Sequence, residues 1–143
     1  MFSCERFSGK VKAWSIPNTN VKYEIVQDGA VYDILIGRDG TPLKNLILSI
    51  STEYFCRVSN LHNGVEVKMI YFDSRCGSID ATRDQTLVAV GTNSGVTFIE
   101  TTNFTKVNEV SFNSWVMALA FNRRNDCLLA VTSGTEIHSI KFR

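Results

Sequence analysis

Apolar residues in this chain fall in short runs separated by polar turns, and the arrangement recurs. Val116-Met117-Ala118-Leu119-Ala120-Phe121 leads through Asn122-Arg123-Arg124-Asn125 into Cys127-Leu128-Leu129-Ala130-Val131, which ends on Thr132-Ser133-Gly134. Cys76-Gly77-Ser78-Ile79-Asp80-Ala81 and the turn after it lead in the same way into Leu87-Val88-Ala89-Val90. Val31-Tyr32-Asp33-Ile34-Leu35-Ile36 leads through Gly37-Arg38-Asp39-Gly40 into Leu46-Ile47-Leu48-Ser49-Ile50. The opening residues Val31, Cys76 and Val116 lie 45 and 40 residues apart. A period near that length fixes the architecture before any single residue is interpreted, because each copy is one supersecondary unit.

Inside each unit the periodicity is that of strands. Alternating runs rich in Val, Ile, Phe, Tyr and Thr recur, and helix-like stripes at i, i+3, i+4 are missing. The pattern predicts strands at 2–7, 10–16 and 21–26, with lysines facing out at alternate positions of the second. A first complete unit follows at 31–36, 46–50, 54–59 and 65–71, and a second at 79–82, 87–90, 96–101 and 106–112. The last unit has strands at 116–121, 128–131 and 136–142. Both prolines, Pro17 and Pro42, fall in turns, and Asn63-Gly64 is a hairpin signal because both residues tolerate positive φ. The tally is three, four, four and three strands, with corners at Gly9, Thr52, Gly95 and Gly134 spaced by 43, 43 and 39 residues. Four short strands per unit of this length is the signature of a β-propeller blade. A lone blade has two apolar faces and cannot bury both, so blades must stack.

Composition narrows the classes. With 143 residues, 44% apolar and 20% charged, the chain is long enough for one globular domain. The formal net charge is +1 and the basic residues are scattered, which argues against a nucleic-acid partner. No apolar run has the length of a membrane span, and the first residues lack a signal-peptide pattern. Cys4, Cys56, Cys76 and Cys127 are widely spaced, with no C-x-x-C, so reduced thiols in an intracellular, cytoplasmic protein are expected. No metal or cofactor is expected, and no small-molecule substrate is evident.

The segment from Val31 to Gly40 resembles the opening strand of the WD40-repeat family, typically V-x-x-V-A-F-S-P-D-G. Val116, Leu119, Ala120 and Phe121 fit a further copy, as do Cys76, Ile79 and Ala81. Leu128-Leu129-Ala130-Val131-Thr132-Ser133-Gly134 is similar to the family's L-L-A-S-G-S, and Gly9-Lys10-Val11-Lys12-Ala13-Trp14-Ser15 to its G-T-V-K-L-W-D. Trp14 alone keeps the third-strand tryptophan; no Gly-His precedes a first strand, and no Trp-Asp pair occurs. The family's hydrogen-bonded blade network is therefore absent, and apolar packing with turn geometry is expected to replace it.

The resemblance implies an all-β propeller of four-stranded antiparallel blades, about three and a half of them in residues 1–143. The parts are a partial blade at 2–27, blades at 31–71 and 76–112, and a last blade at 116–143 lacking its fourth strand. That looks like the C-terminal half of a longer propeller, either a fragment or a chain whose ring another chain completes. The function implied is a non-catalytic scaffold for protein–protein interaction. In this family partners dock on the loops entering the first strand and those joining the second and third. Here those loops hold Asp28 and Ala30, Asp73 and Arg75, Asn113 and Trp115, with Thr52, Asn93 and Ser133. The candidate partner-binding residues are Asp28, Asp73, Arg75, Asn93, Asn113 and Trp115, Arg and Trp being frequent interface anchors. Rival readings are the accessory propeller of a multidomain enzyme or exchange factor, and a β-sandwich carbohydrate-binding module.

Catalytic chemistry finds little footing. His138 and Ser139 are neighbours on a strand and point to opposite faces, so they form no nucleophile–base couple, and His62 lies in a turn. Asp33 and Asp80 recur in first strands and read as hydrogen-bonded structural residues rather than an acid pair. Gly91-Thr92-Asn93-Ser94-Gly95 lacks the lysine and helix of a phosphate loop. Arg38, Arg83 and Arg123-Arg124 occupy equivalent turns, read as solvated.

Overall fold

β-Branched and aromatic runs this short, each cut off by a turn, pair locally, and every connection is short enough to return antiparallel. The computed structural model describes residues 1–5, 9–15, 20–27, 29–122, 124, 126–134 and 136–142, with Cys4 and Glu5 by backbone alone. Among them are fourteen strands and no helix. The first sheet holds β1 (Phe2–Glu5), β2 (Lys10–Ser15) and β3 (Asn20–Val26). The second holds β4 (Val31–Ile36), β5 (Leu46–Ser51), β6 (Phe55–Asn60) and β7 (Glu66–Tyr71). In the third are β8 (Cys76–Ala81), β9 (Leu87–Thr92), β10 (Gly95–Glu100) and β11 (Thr105–Ser111). The fourth contains β12 (Val116–Phe121), β13 (Cys127–Thr132) and β14 (Ile137–Lys141). Strands in each sheet lie in sequence order, all antiparallel, and four small sheets replace the two large ones of a sandwich.

The repetition extends to individual hydrogen bonds. The N–H of Thr52 donates to the Ala30 carbonyl at 3.0 Å, that of Asn93 to Arg75 at 3.0 Å, and that of Ser133 to Trp115 at 2.9 Å. The first strand of each of the last three sheets carries a bulge at the same place, at Tyr32, Gly77 and Met117. β8 runs from Cys76, three residues before the expected start at Ile79, because the register resumes at once on the far side of its bulge.

Three apolar interfaces hold the sheets in file. Val11 and Ile25 of the first sheet pack on Val31 and Ile47 of the second. Leu48, Ile50, Cys56 and Val58 of the second sheet share a core with Cys76, Ile79, Val88 and Val90 of the third. Ala89, Val96 and Phe98 of the third meet Val116, Leu128 and Ala130 of the fourth. None of these clusters joins the fourth sheet back to the first. Transfer of this much aliphatic surface from water, at about 25 cal/mol per Å² of apolar area, is the main stabilising term.

Apolar packing and turns are not the whole of it, which corrects the expectation from the missing family network. The Asp33 carboxylate crosses from β4 to accept from the Ile79 N–H at 3.3 Å, and Asp80 crosses from β8 to accept from Phe121 at 2.8 Å. Gln85 is buried in the turn after β8. Its Oε1 accepts from the Arg38 N–H at 2.9 Å and Thr41 Oγ1 at 2.7 Å, and its Nε2 donates to the Ile36 carbonyl at 2.9 Å. These side chains satisfy backbone groups that the seams would otherwise leave buried and unpaired, at about 1–3 kcal/mol each.

Candidate functional site

Along one edge of the stacked sheets, at the same end of every strand set, lie the loops entering β4, β8 and β12 and the corners between second and third strands. The bonds from Thr52, Asn93 and Ser133 to the carbonyls of Ala30, Arg75 and Trp115 pin each corner to its neighbouring loop, so this end is preorganised. Two bulges shape its surface. At the first, Tyr32 turns out of its sheet and meets Trp115 edge to face, ring centroids 5.5 Å apart. At the second, the residue is Gly77, and a Cβ there would lie 2.1 Å from Trp115 Nε1. The indole therefore rests on glycine backbone, half-buried, and its N–H is buried with no hydrogen-bond partner among the described residues.

Tyr32, Thr52, Arg75, Asn93 and Trp115 line a cleft of about 180 Å³. Three of the six sequence-predicted residues, Arg75, Asn93 and Trp115, thus converge on one cleft, supplied by the third sheet and the loop into the fourth. Asp73 is exposed at the same end but lines a separate groove of about 60 Å³ with Ser74, Thr92 and Ser94. Asn113 is exposed beside an open depression next to Phe112 and His138, rings stacked 4.3 Å apart. Asp28 lies outside the described residues. Tyr32 was not anticipated, because its position next to Trp115 depends on a bulge that the strand pattern does not reveal.

The opposite end holds a larger open cavity of about 560 Å³, lined by Arg38, Asp80, Arg83 and Gln85 among others. Arg38 Nη2 donates to the Arg83 carbonyl at 2.6 Å, so this arginine ties two turns together as well as facing solvent. Burial raises the Asp33 carboxyl above the usual carboxylate range; the N–H groups of Ile79 and Ile34 oppose the rise and the charge of Asp80 adds to it. Each of the two aspartates is committed to backbone of the adjacent sheet. Burial pushes the Cys76 thiol up to about 12, against the pull of Lys106, and also raises Cys56, so both are packed as neutral thiols. His138 stacks inward while Ser139 faces out beside Cys127, at 2.9 Å from its sulfur. Among the described residues no cluster of His, Cys, Asp and Glu has metal-binding geometry, and no helix is long and apolar enough to cross a membrane.

No protein-family model matches the chain, and no curated protein matches it in sequence. Among solved structures the fold is similar to the crystal structure of the computationally designed Ika4 protein, at a TM-score of 0.82 and 13% identity. The likeness covers 99% of this chain and 84% of that one. At such identity the resemblance concerns the arrangement of the strands and sheets alone.

Proposed function

We propose that this chain is a non-catalytic platform for protein–protein interaction, a partial WD40-like propeller whose ring is completed by another chain or by the rest of a longer protein. The observation that carries this reading is the outward face of the fourth sheet. Leu129, Val131 and Ile137 are 44%, 37% and 71% exposed, and Ala118, Ala120 and Met117 are exposed around them. Ser139 and Lys141 share that face through their pairing with Leu129 and Cys127, and the apolar residues beside them form the kind of patch that another protein covers. The outward face of the first sheet also exposes Val21 and Val26 and differs in its charges. There Lys10 and Lys12 pair with Glu24 at 3.2 and 3.9 Å, and Trp14 Nε1 donates to Ser3 Oγ at 2.8 Å. Burying those charges against the apolar face would cost more than the contact returns, so the covering surface is a different sheet. The compact end with its aromatic cleft supplies a docking face.

Cys127 reports on this directly. Alternation along β13 puts its thiol on the outward face with Leu129, whereas Cys56 and Cys76 are fully buried. In a Cys4→Ser background the labelling of Cys127 by a thiol reagent is expected to slow as protein concentration rises, since a second copy is then the available covering sheet. Leu129→Lys is expected to restore fast labelling. A labelling rate independent of concentration in a folded chain would count against the proposal.

A further inference from the structure

We infer that the cleft of Tyr32, Thr52, Arg75, Asn93 and Trp115 receives a single carboxylate side chain, Glu or Asp, from a partner protein. This rests on the platform reading and names the chemistry that the platform recognises. Size comes first. At about 180 Å³ the cleft falls below the roughly 300–1,000 Å³ of cofactor and metabolite pockets, yet it accommodates one side chain. Charge comes second. Arg75 is exposed at the rim, and among the described residues its guanidinium makes no ion pair or hydrogen bond. The neighbouring carboxylates Glu53 and Asp73 stand outside ion-pairing distance of it. Its backbone, by contrast, is fixed by the Asn93 N–H, so the cation is held at the mouth by a pinned loop.

The walls complete the match. Tyr32 and Trp115 offer edge-to-face aromatic surface to the methylene stem of an acidic residue, and Trp115 is seated on Gly77. The Asn93 amide and the Thr52 hydroxyl are neutral donors beside one guanidinium, a set that suits a single negative charge. A phosphorylated side chain carries nearly twice that charge and calls for more cations than the cleft holds.

The test is a random peptide library displayed on phage and panned against the chain, with selected peptides then measured by fluorescence anisotropy. Enriched peptides are expected to share an acidic residue, and replacing it by Gln or Asn should weaken binding about ten-fold or more. Arg75→Gln should cause a similar loss and Arg75→Lys a smaller one; the residue is exposed, so both variants should fold. In Trp14→Phe protein the emission of Trp115 should change on binding. Enrichment without acidic residues, binding unaffected by Arg75→Gln, or tighter binding of a phosphoserine version would each overturn the carboxylate assignment. Peptides that bind through Tyr32 and Trp115 without an acid leave the platform reading standing. A library that enriches nothing contradicts both.

Discussion

The middle strands β5, β9 and β13 occupy the same place in three successive sheets and carry nearly the same apolar sequence, but they meet different surroundings. In β5 Leu48 and Ile50 are 1% and 0% exposed, and in β9 Ala89 and Gly91 are likewise buried. The residues at those positions in β13, Leu129 and Val131, are 44% and 37% exposed. Strands covered on both faces read as continuous apolar runs, whereas a half-solvated strand normally alternates with polar residues. β13 has the sequence of the first kind and the exposure of the second. The first sheet makes the contrast sharper, since its outward face carries Lys10, Lys12 and Glu24 in ion pairs. The two end faces thus differ in their charge pairing, while Val21 and Val26, 42% and 57% exposed, stand beside the ion pairs of the first.

The covered and the open strands should respond differently to substitution. The largest effect is expected from Leu48→Ala, which opens a cavity between two sheets and should cost about 2–5 kcal/mol in urea unfolding. Asp80→Ala leaves the Phe121 N–H without its carboxylate across the third seam, and a loss of about 1–3 kcal/mol is expected from the same measurement. Asp33 acts through pH. Its folded carboxyl titrates above the ordinary 3.8, so in the window from that value upward the native state holds more proton than the unfolded chain. Stability contributed by this group is therefore present in acid and falls as pH rises through the window. Asp33→Asn should flatten that slope, read as the difference between the two proteins' unfolding curves across acidic pH. The smallest effect belongs to Leu129→Ala in dilute protein, about 1 kcal/mol or less, because nearly half of the residue is already in water. The same leucine-to-alanine change at two equivalent positions should thus give the two extremes.

Strand order and the division into three, four, four and three were legible because period-two alternation and turn residues act locally. Most strand boundaries fall within a residue or two of the pattern; β8 is the exception, for the repeat opens at Cys76 but the bulge at Gly77 breaks the alternation, which runs only from Ile79. The cleft was half legible. Arg75, Asn93 and Trp115 could be placed on one end from the repeat alone, but their meeting with Tyr32 depends on a bulge and on the absent side chain of Gly77. Asp73 and Asn113 share that end yet stand apart, since sequence register places a loop without giving its reach. That Asp33 and Asp80 are hydrogen-bonded structural residues was legible, but their partners across the seams and the role of Gln85 were not, for a related reason. Asp33 and Asp80 sit at different registers of their strands and do the same work, so no repeated motif announces them.

The outward face of the fourth sheet is proposed as an interface, and size-exclusion chromatography with light scattering on the purified chain, with circular dichroism alongside, reads this from the mass of the folded species. The predicted result is a β-rich dimer or larger assembly that Leu129→Lys converts to a folded monomer. A wild-type chain that stays β-rich and monomeric at high concentration would contradict it.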